Sequence, residues 1–198
     1  MQLTNDKIEN REIIFFLFII LVGSFILEQP ILDLQNDLLN PNLKFHFIPA
    51  NSFPVFYIIL RFVKGCVFAP IIEELFFRGF IQRKLNKKYS FPISLFVASS
   101  LFSIQHFDLE NLIPSFILGF ILGYIYFKTK NIKYSIILHS ASNFIALFIN
   151  FFGGTLIAFI ILHKYDLFYW LIEISGLLLL YFGIKLFNRN LEKEKIEV

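Results

Sequence analysis

Cysteine is nearly absent: Cys66 is the only one in 198 residues and lies within an apolar run, so no disulfide framework can form and the sequence does not report its redox compartment. A lone cysteine in such a setting behaves as a small hydrophobe, and no catalytic thiol is expected. The chain also lacks a P-loop and a G-x-S-x-G nucleophile elbow, which leaves phosphate chemistry and the hydrolase type of serine chemistry without sequence support. It has no HExxH pair, the commonest helical zinc-protease signature. No motif recurs in inverted order, which argues against a transporter built from repeats. No small-residue cleavage site follows the first apolar run, so that run reads as a retained signal anchor.

What is present is apolar surface. Hydrophobic residues make up 57% of the chain, 28 of them Phe, and the mean hydropathy is +0.67. These values exceed those of soluble domains and predict an integral membrane protein in contact with the lipid bilayer, one all-α polytopic bundle spanning residues 1–198. Apolar runs at 13–27, 53–80, 91–107, 112–127, 134–150 and 167–187 predict six spans. The piece 155–162 is too short to cross; if it did, there would be seven. The stretch 28–52, with Pro30, Pro41 and Pro49, predicts an extramembrane loop with a short interfacial helix over 31–39. Arg83, Lys84, Lys87 and Lys88 form one basic loop and Lys128, Lys130 and Lys133 another, and a basic tail follows the last span. Positive charge marks the cytoplasmic side, so the N-terminus and both basic loops are expected there, in the cell membrane, with the Asp108 to Glu110 loop outside. No nucleic-acid partner is expected.

Charged residues inside these runs are the candidates for function, because an ionisable group at membrane depth is costly unless it faces a polar interior. Residues 71–80 read IIEELFFRGF. Glu74 and Arg78 are i,i+4 neighbours in the favourable order for a structural ion pair, whereas Glu73 points about 100° away and has no cation beside it on the helix. A carboxylate so placed is suited to accept a proton. Ser99, Ser103 and His106 form a polar stripe on the third span, and Ser135, His139 and Asn143 form another on the fifth. Ser115, Gly119 and Gly123, four apart, are read as a helix-packing face. Pro70 is the expected kink of the second span. Arg61 and Lys64 are expected to snorkel, or to line the cavity and attract a substrate carboxylate. His46 and His163 are assigned no role.

Three motifs thus stand in order: Glu73-Glu74-x-x-x-Arg78, Phe102-x-x-x-His106 and His139-x-x-x-Asn143. The set resembles the CAAX protease and bacteriocin-processing family of intramembrane proteases, which includes type II CAAX prenyl endopeptidases and bacterial Abi-type proteins, over about 68–150. The resemblance implies an endopeptidase acting on a membrane-associated protein or peptide, prenylated or a peptide precursor. Peptide hydrolysis requires a base for the water and donors for the oxyanion. Glu73 with His106 could serve the first need, and His139 with Asn143 the second, Glu74 and Arg78 supporting them. A zinc ion on Glu73, His106 and His139 is the alternative, since some members are described as metalloproteases and others as glutamate-dependent; the missing HExxH favours the metal-free scheme. The rival reading from another class is a non-enzymatic scaffold or immunity-type protein, or a small proton-coupled transporter.

Overall fold

The computed structural model describes residues 11–39, 48–107 and 109–196; His46 and Asp108 lie outside them. Among the described residues there are seven main helices and no strand: α1 (Arg11–Leu39), α2 (Val55–Leu85), α3 (Phe91–Ile104), α4 (Leu109–Thr129), α5 (Ile132–Phe152), α6 (Gly154–Leu162) and α7 (Leu167–Ile196). Five of them, α1, α2, α4, α5 and α7, are long and apolar enough to cross a membrane. Helix α3 is apolar but has only 14 residues, about 21 Å against a hydrocarbon core of about 30 Å. Helix α6, with nine residues, stays well short of a span. The chain is an all-α polytopic membrane bundle.

The first helix corrects the expected loop. Helix α1 continues through Pro30 to Leu39, where a break and a separate interfacial helix were expected. Proline forfeits one backbone bond there, and tertiary partners offset the loss. Tyr169 on α7 donates its hydroxyl to Asp33 at 2.7 Å, Lys164 bonds Asp37 at 2.7 Å and Tyr165 bonds it at 2.9 Å. The Lys164 ammonium, with the Tyr165 hydroxyl second, holds the Asp37 carboxyl below its ordinary range. Glycines on α1 and α7 let the two helices run close together: a Cβ on Gly23 would lie 2.6 Å from the backbone nitrogen of Leu180.

Helix α2 is irregular around its charged centre. Residues Lys64–Phe68 and Leu75–Gln82 are wound as π-helix, flanking the α-helical turn Ala69–Glu74. Such wide turns inside a helix often occur at functional sites. Helices α3 and α4 form an antiparallel pair pinned by the stacked rings of Phe91 and Phe127, 3.7 Å apart, and α5 starts at Asn131, whose side chain caps it by accepting from Lys133 N–H.

The bundle has two unlike halves. Near the basic loops, Ile13, Leu17, Leu122, Ile125, Leu138 and Phe187 meet in a closed apolar core drawn from α1, α4, α5 and α7. Toward the opposite end α1, α4 and α5 part and, with α2, surround a cavity.

Candidate active site

The polar centre is built outward from Glu74, which is fully buried. Its Oε2 lies 3.1 Å from Arg78 Nε, an ion pair whose angle falls short of a hydrogen bond. Its Oε1 lies 3.0 Å from His139 Nδ1. Arg78 is 1% exposed; it donates through Nη2 to the Gly119 carbonyl at 2.9 Å, and its guanidinium sits 4.5 Å above the Phe102 ring, within cation–π range. One turn on, Gln82 donates to the Gly123 carbonyl at 2.9 Å. The four-residue spacing of Glu74, Arg78 and Gln82 on α2 therefore matches that of Gly119 and Gly123 on α4. A Cβ on Gly123 would lie 2.6 Å from Leu95 and 2.9 Å from Gln82, so these glycines serve close packing and leave their carbonyls open to donors.

Glu73 and His139 meet across α2 and α5. With Nδ1–H donated to Glu74, the imidazole presents Nε2 to Glu73 Oε2 at 3.9 Å, too long for a direct bond and suited to a bridging water. Gln105, just past α3, donates to the same Glu73 oxygen at 3.2 Å. Glu73 is 24% exposed at its side chain. His106 takes a different place from the one expected of it. Its Nδ1 donates to the Phe102 carbonyl at 2.9 Å, and its exposed ring contacts Phe102 edge-on at 5.3 Å. Phe102 contacts His139 in the same way at 5.5 Å, so one buried aromatic ring separates the two imidazoles.

A cavity of about 600 Å³ lies beside this centre, lined by His106, His139 and Asn143 together with Arg61, Lys64 and Glu28. Glu73 is not among its lining residues; His139 joins it to the space. The expectation that Glu73, His106 and His139 line one cavity together is thus met by the two histidines and not by the glutamate. Among the described residues no three His, Cys, Asp or Glu side chains converge to hold a metal ion. Glu73, His106 and His139 as arranged do not form the three-ligand set expected for zinc, since His106 stands beyond Phe102 while His139 keeps Nε2 toward Glu73.

Asn143 has a second employment, which the backbone explains. In the π-wound turn, Ala69 N–H bonds to the Lys64 carbonyl, five residues back. The next bond in that register would join residue 70 to Gly65, and Pro70 has no N–H. Asn143 donates its amide to the orphaned Gly65 carbonyl at 2.7 Å, leaving its second N–H free at the cavity. Asn143→Ala is therefore expected to lower stability by about 1 kcal/mol, the usual net worth of one hydrogen bond, here part-buried at the cavity wall, in addition to any loss of activity. Thermal unfolding in detergent checks this, and an unchanged midpoint would limit Asn143 to the cavity side.

Gln105, Gln82 and the Phe102 ring were not singled out for roles by sequence. Gln82 had a visible signal in its register with Glu74 and Arg78; Gln105 had none beyond adjacency to His106.

Comparison with known proteins places this geometry in context. Residues 54–145 match the family described as type II CAAX prenyl endopeptidase Rce1-like, which bears out the resemblance read from the three motifs. A Bacillus subtilis (strain 168) protein provisionally named membrane peptidase YdiL is 32% identical over 84 residues, 42% of this chain and 34% of that protein. The UPF0177 protein YxdF of Lactococcus lactis subsp. lactis (strain IL1403) is 36% identical over 99 residues, 49% of each chain. The matches thus span a third to a half of the length of these relatives. No solved structure matches the chain significantly.

Proposed function

We propose, from a membrane bundle whose residues 54–145 match the Rce1-like type II CAAX prenyl endopeptidase family, that this protein is an intramembrane endopeptidase in which Glu73 activates water. The observation that carries the reading is the 3.9 Å approach of Glu73 Oε2 to His139 Nε2 beside the cavity. A water between them loses its proton to Glu73 as its oxygen attacks the substrate carbonyl carbon. Gln105 fixes the carboxylate, and Glu74 fixes the imidazole with Nε2 outward. The remaining N–H of Asn143 stabilises the oxyanion. When the C–N bond breaks, Glu73 returns the proton to the leaving amine, giving a carboxylic acid and an amine, which pass to carboxylate and ammonium by transfer of the acid's proton. His106, with Nδ1 tied to Phe102 and Nε2 free, orients the substrate at the cavity. No step is routed through a metal.

Orientation determines which substrates can arrive. The cavity is lined by the late residues of α1 and α5 and the early residues of α2 and α4, all toward the end of the bundle away from Arg83–Lys88 and Lys128–Lys133. With those basic loops cytoplasmic, the cavity opens on the far side. Our reading is that the substrate is a membrane-associated protein or peptide presented from the non-cytoplasmic face of the cell membrane. In a Cys66→Ser background, an impermeant thiol reagent on intact cells is expected to label Leu167→Cys and not Lys87→Cys. Peptide added outside is expected to be cleaved. Labelling at Lys87→Cys alone would reverse the orientation and the access with it.

A further inference from the structure

Arg61 and Lys64 have no part in the scheme above, yet both line the cavity. Spaced i and i+3, they share one face of α2. Counted from Val55, they lie about 9 Å and about 14 Å along the helix, well inside a core of about 30 Å. A cation turned to lipid at that depth is costly; the cavity is the polar alternative. Among the described residues neither has an ion-pair partner, in contrast to Arg78 and Lys164. Glu28 is the one carboxylate among the described residues lining the cavity, and it is not within ion-pair distance of either. Two unpaired cations therefore stand in a concave wall with one acid.

Their place along the helix relates them to the reacting bond. Lys64 precedes Gly65, whose carbonyl is held by the same Asn143 amide assigned to the oxyanion, and Arg61 lies about one turn nearer the cavity mouth. We propose that Arg61 and Lys64 form an anion subsite that holds a carboxylate of the peptide within a few residues of the scissile bond. The subsite rests on the endopeptidase reading for its purpose, and on the cavity geometry alone for its existence. The guanidinium can bind a carboxylate through two parallel N–H bonds, and the ammonium adds a point charge. A free C-terminus and an Asp or Glu side chain present the same group.

Three fluorescent apolar peptides of one sequence separate these sources: a free C-terminal acid, its C-terminal amide, and the amide with one internal Glu. Binding is read by anisotropy on the full-length Glu73→Gln chain in detergent, so that no probe is consumed. The free acid is expected to bind roughly tenfold or more tighter than the amide, the usual effect of a charged hydrogen bond. That preference is expected to vanish in Arg61→Gln/Lys64→Gln and to turn toward a Lys-terminated amide in Arg61→Glu/Lys64→Glu. Recovery by the internal Glu assigns the side chain as the source; binding of the free acid alone assigns the C-terminus. Equal binding of all three, or a preference that survives in the double Gln variant, overturns the subsite. Should the double variant fail to accumulate, the acid-to-amide ratio on the chain with Arg61 and Lys64 intact decides. If the chain with Glu73 intact cleaves none of the peptides while the preference persists, the endopeptidase reading falls and the subsite stands.

Discussion

Glu73→Gln is expected to abolish proteolysis while leaving the protein as abundant and as heat-stable as before. Gln preserves the size of the side chain and an oxygen that can still accept from Gln105, whose amide lies 3.2 Å from the native carboxylate, but it removes the basic oxygen that takes the proton. General-base contributions are typically about 10²–10⁴-fold in rate, and a group that also positions the water should lose at least that much. Cleavage of a verified peptide by purified protein, set beside a thermal unfolding curve of the same preparation, separates chemistry from folding. Near-normal turnover in this variant would make the base assignment wrong. If His106→Ala were equally silent, the non-enzymatic scaffold would become the better account.

Arg78→Ala is expected to act through folding first. The guanidinium is 1% exposed and satisfies three neighbours together: the Glu74 carboxylate, the Gly119 carbonyl and the face of Phe102. Its removal leaves Glu74 buried with only His139 as a charge partner, and breaking a buried pair costs about 3–5 kcal/mol. Folded yield in membranes and the unfolding midpoint should both fall, and activity with them, since Glu74 would no longer hold the imidazole in place. Replacing both partners together, Glu74→Gln with Arg78→Met, should recover much of the stability, because no isolated charge remains buried. It should not recover turnover. A single Arg78→Ala variant with normal stability and no activity would instead give Arg78 a direct part in the chemistry.

The helical spans were legible because apolar runs and basic loops act locally: each stretch declares its own solvent. The Glu74–Arg78 pair was legible for the same reason, being one turn apart on one helix. What sequence spacing did not carry were relations across helices. His106 and His139 stand in equivalent-looking polar stripes, yet only His139 reaches Glu73, because the Phe102 ring fills the space between them. Asn143 looks like a free donor until the π-wound turn before Pro70 orphans the Gly65 carbonyl opposite it. Helix α1 looked finished at Pro30, and its continuation depends on Tyr165, Lys164 and Tyr169, more than a hundred residues later.

Helix α3 stops after 14 residues, and on the endopeptidase reading its early end bears on the form in which a substrate would present itself. The shortfall against the hydrocarbon core is about 9 Å, or roughly three residues of extended chain. A spanning helix alongside the bundle could reach that depth only by giving up backbone hydrogen bonds in hydrocarbon, at several kcal/mol for each group left unsatisfied. A loop or chain end entering from water is already solvated and extended, and the cavity lined by Arg61, Lys64 and His106 reaches His139. On the endopeptidase reading, the length of one helix would then act as a filter on substrate topology, passing segments dipped in from the aqueous face and excluding the middle of an intact membrane helix.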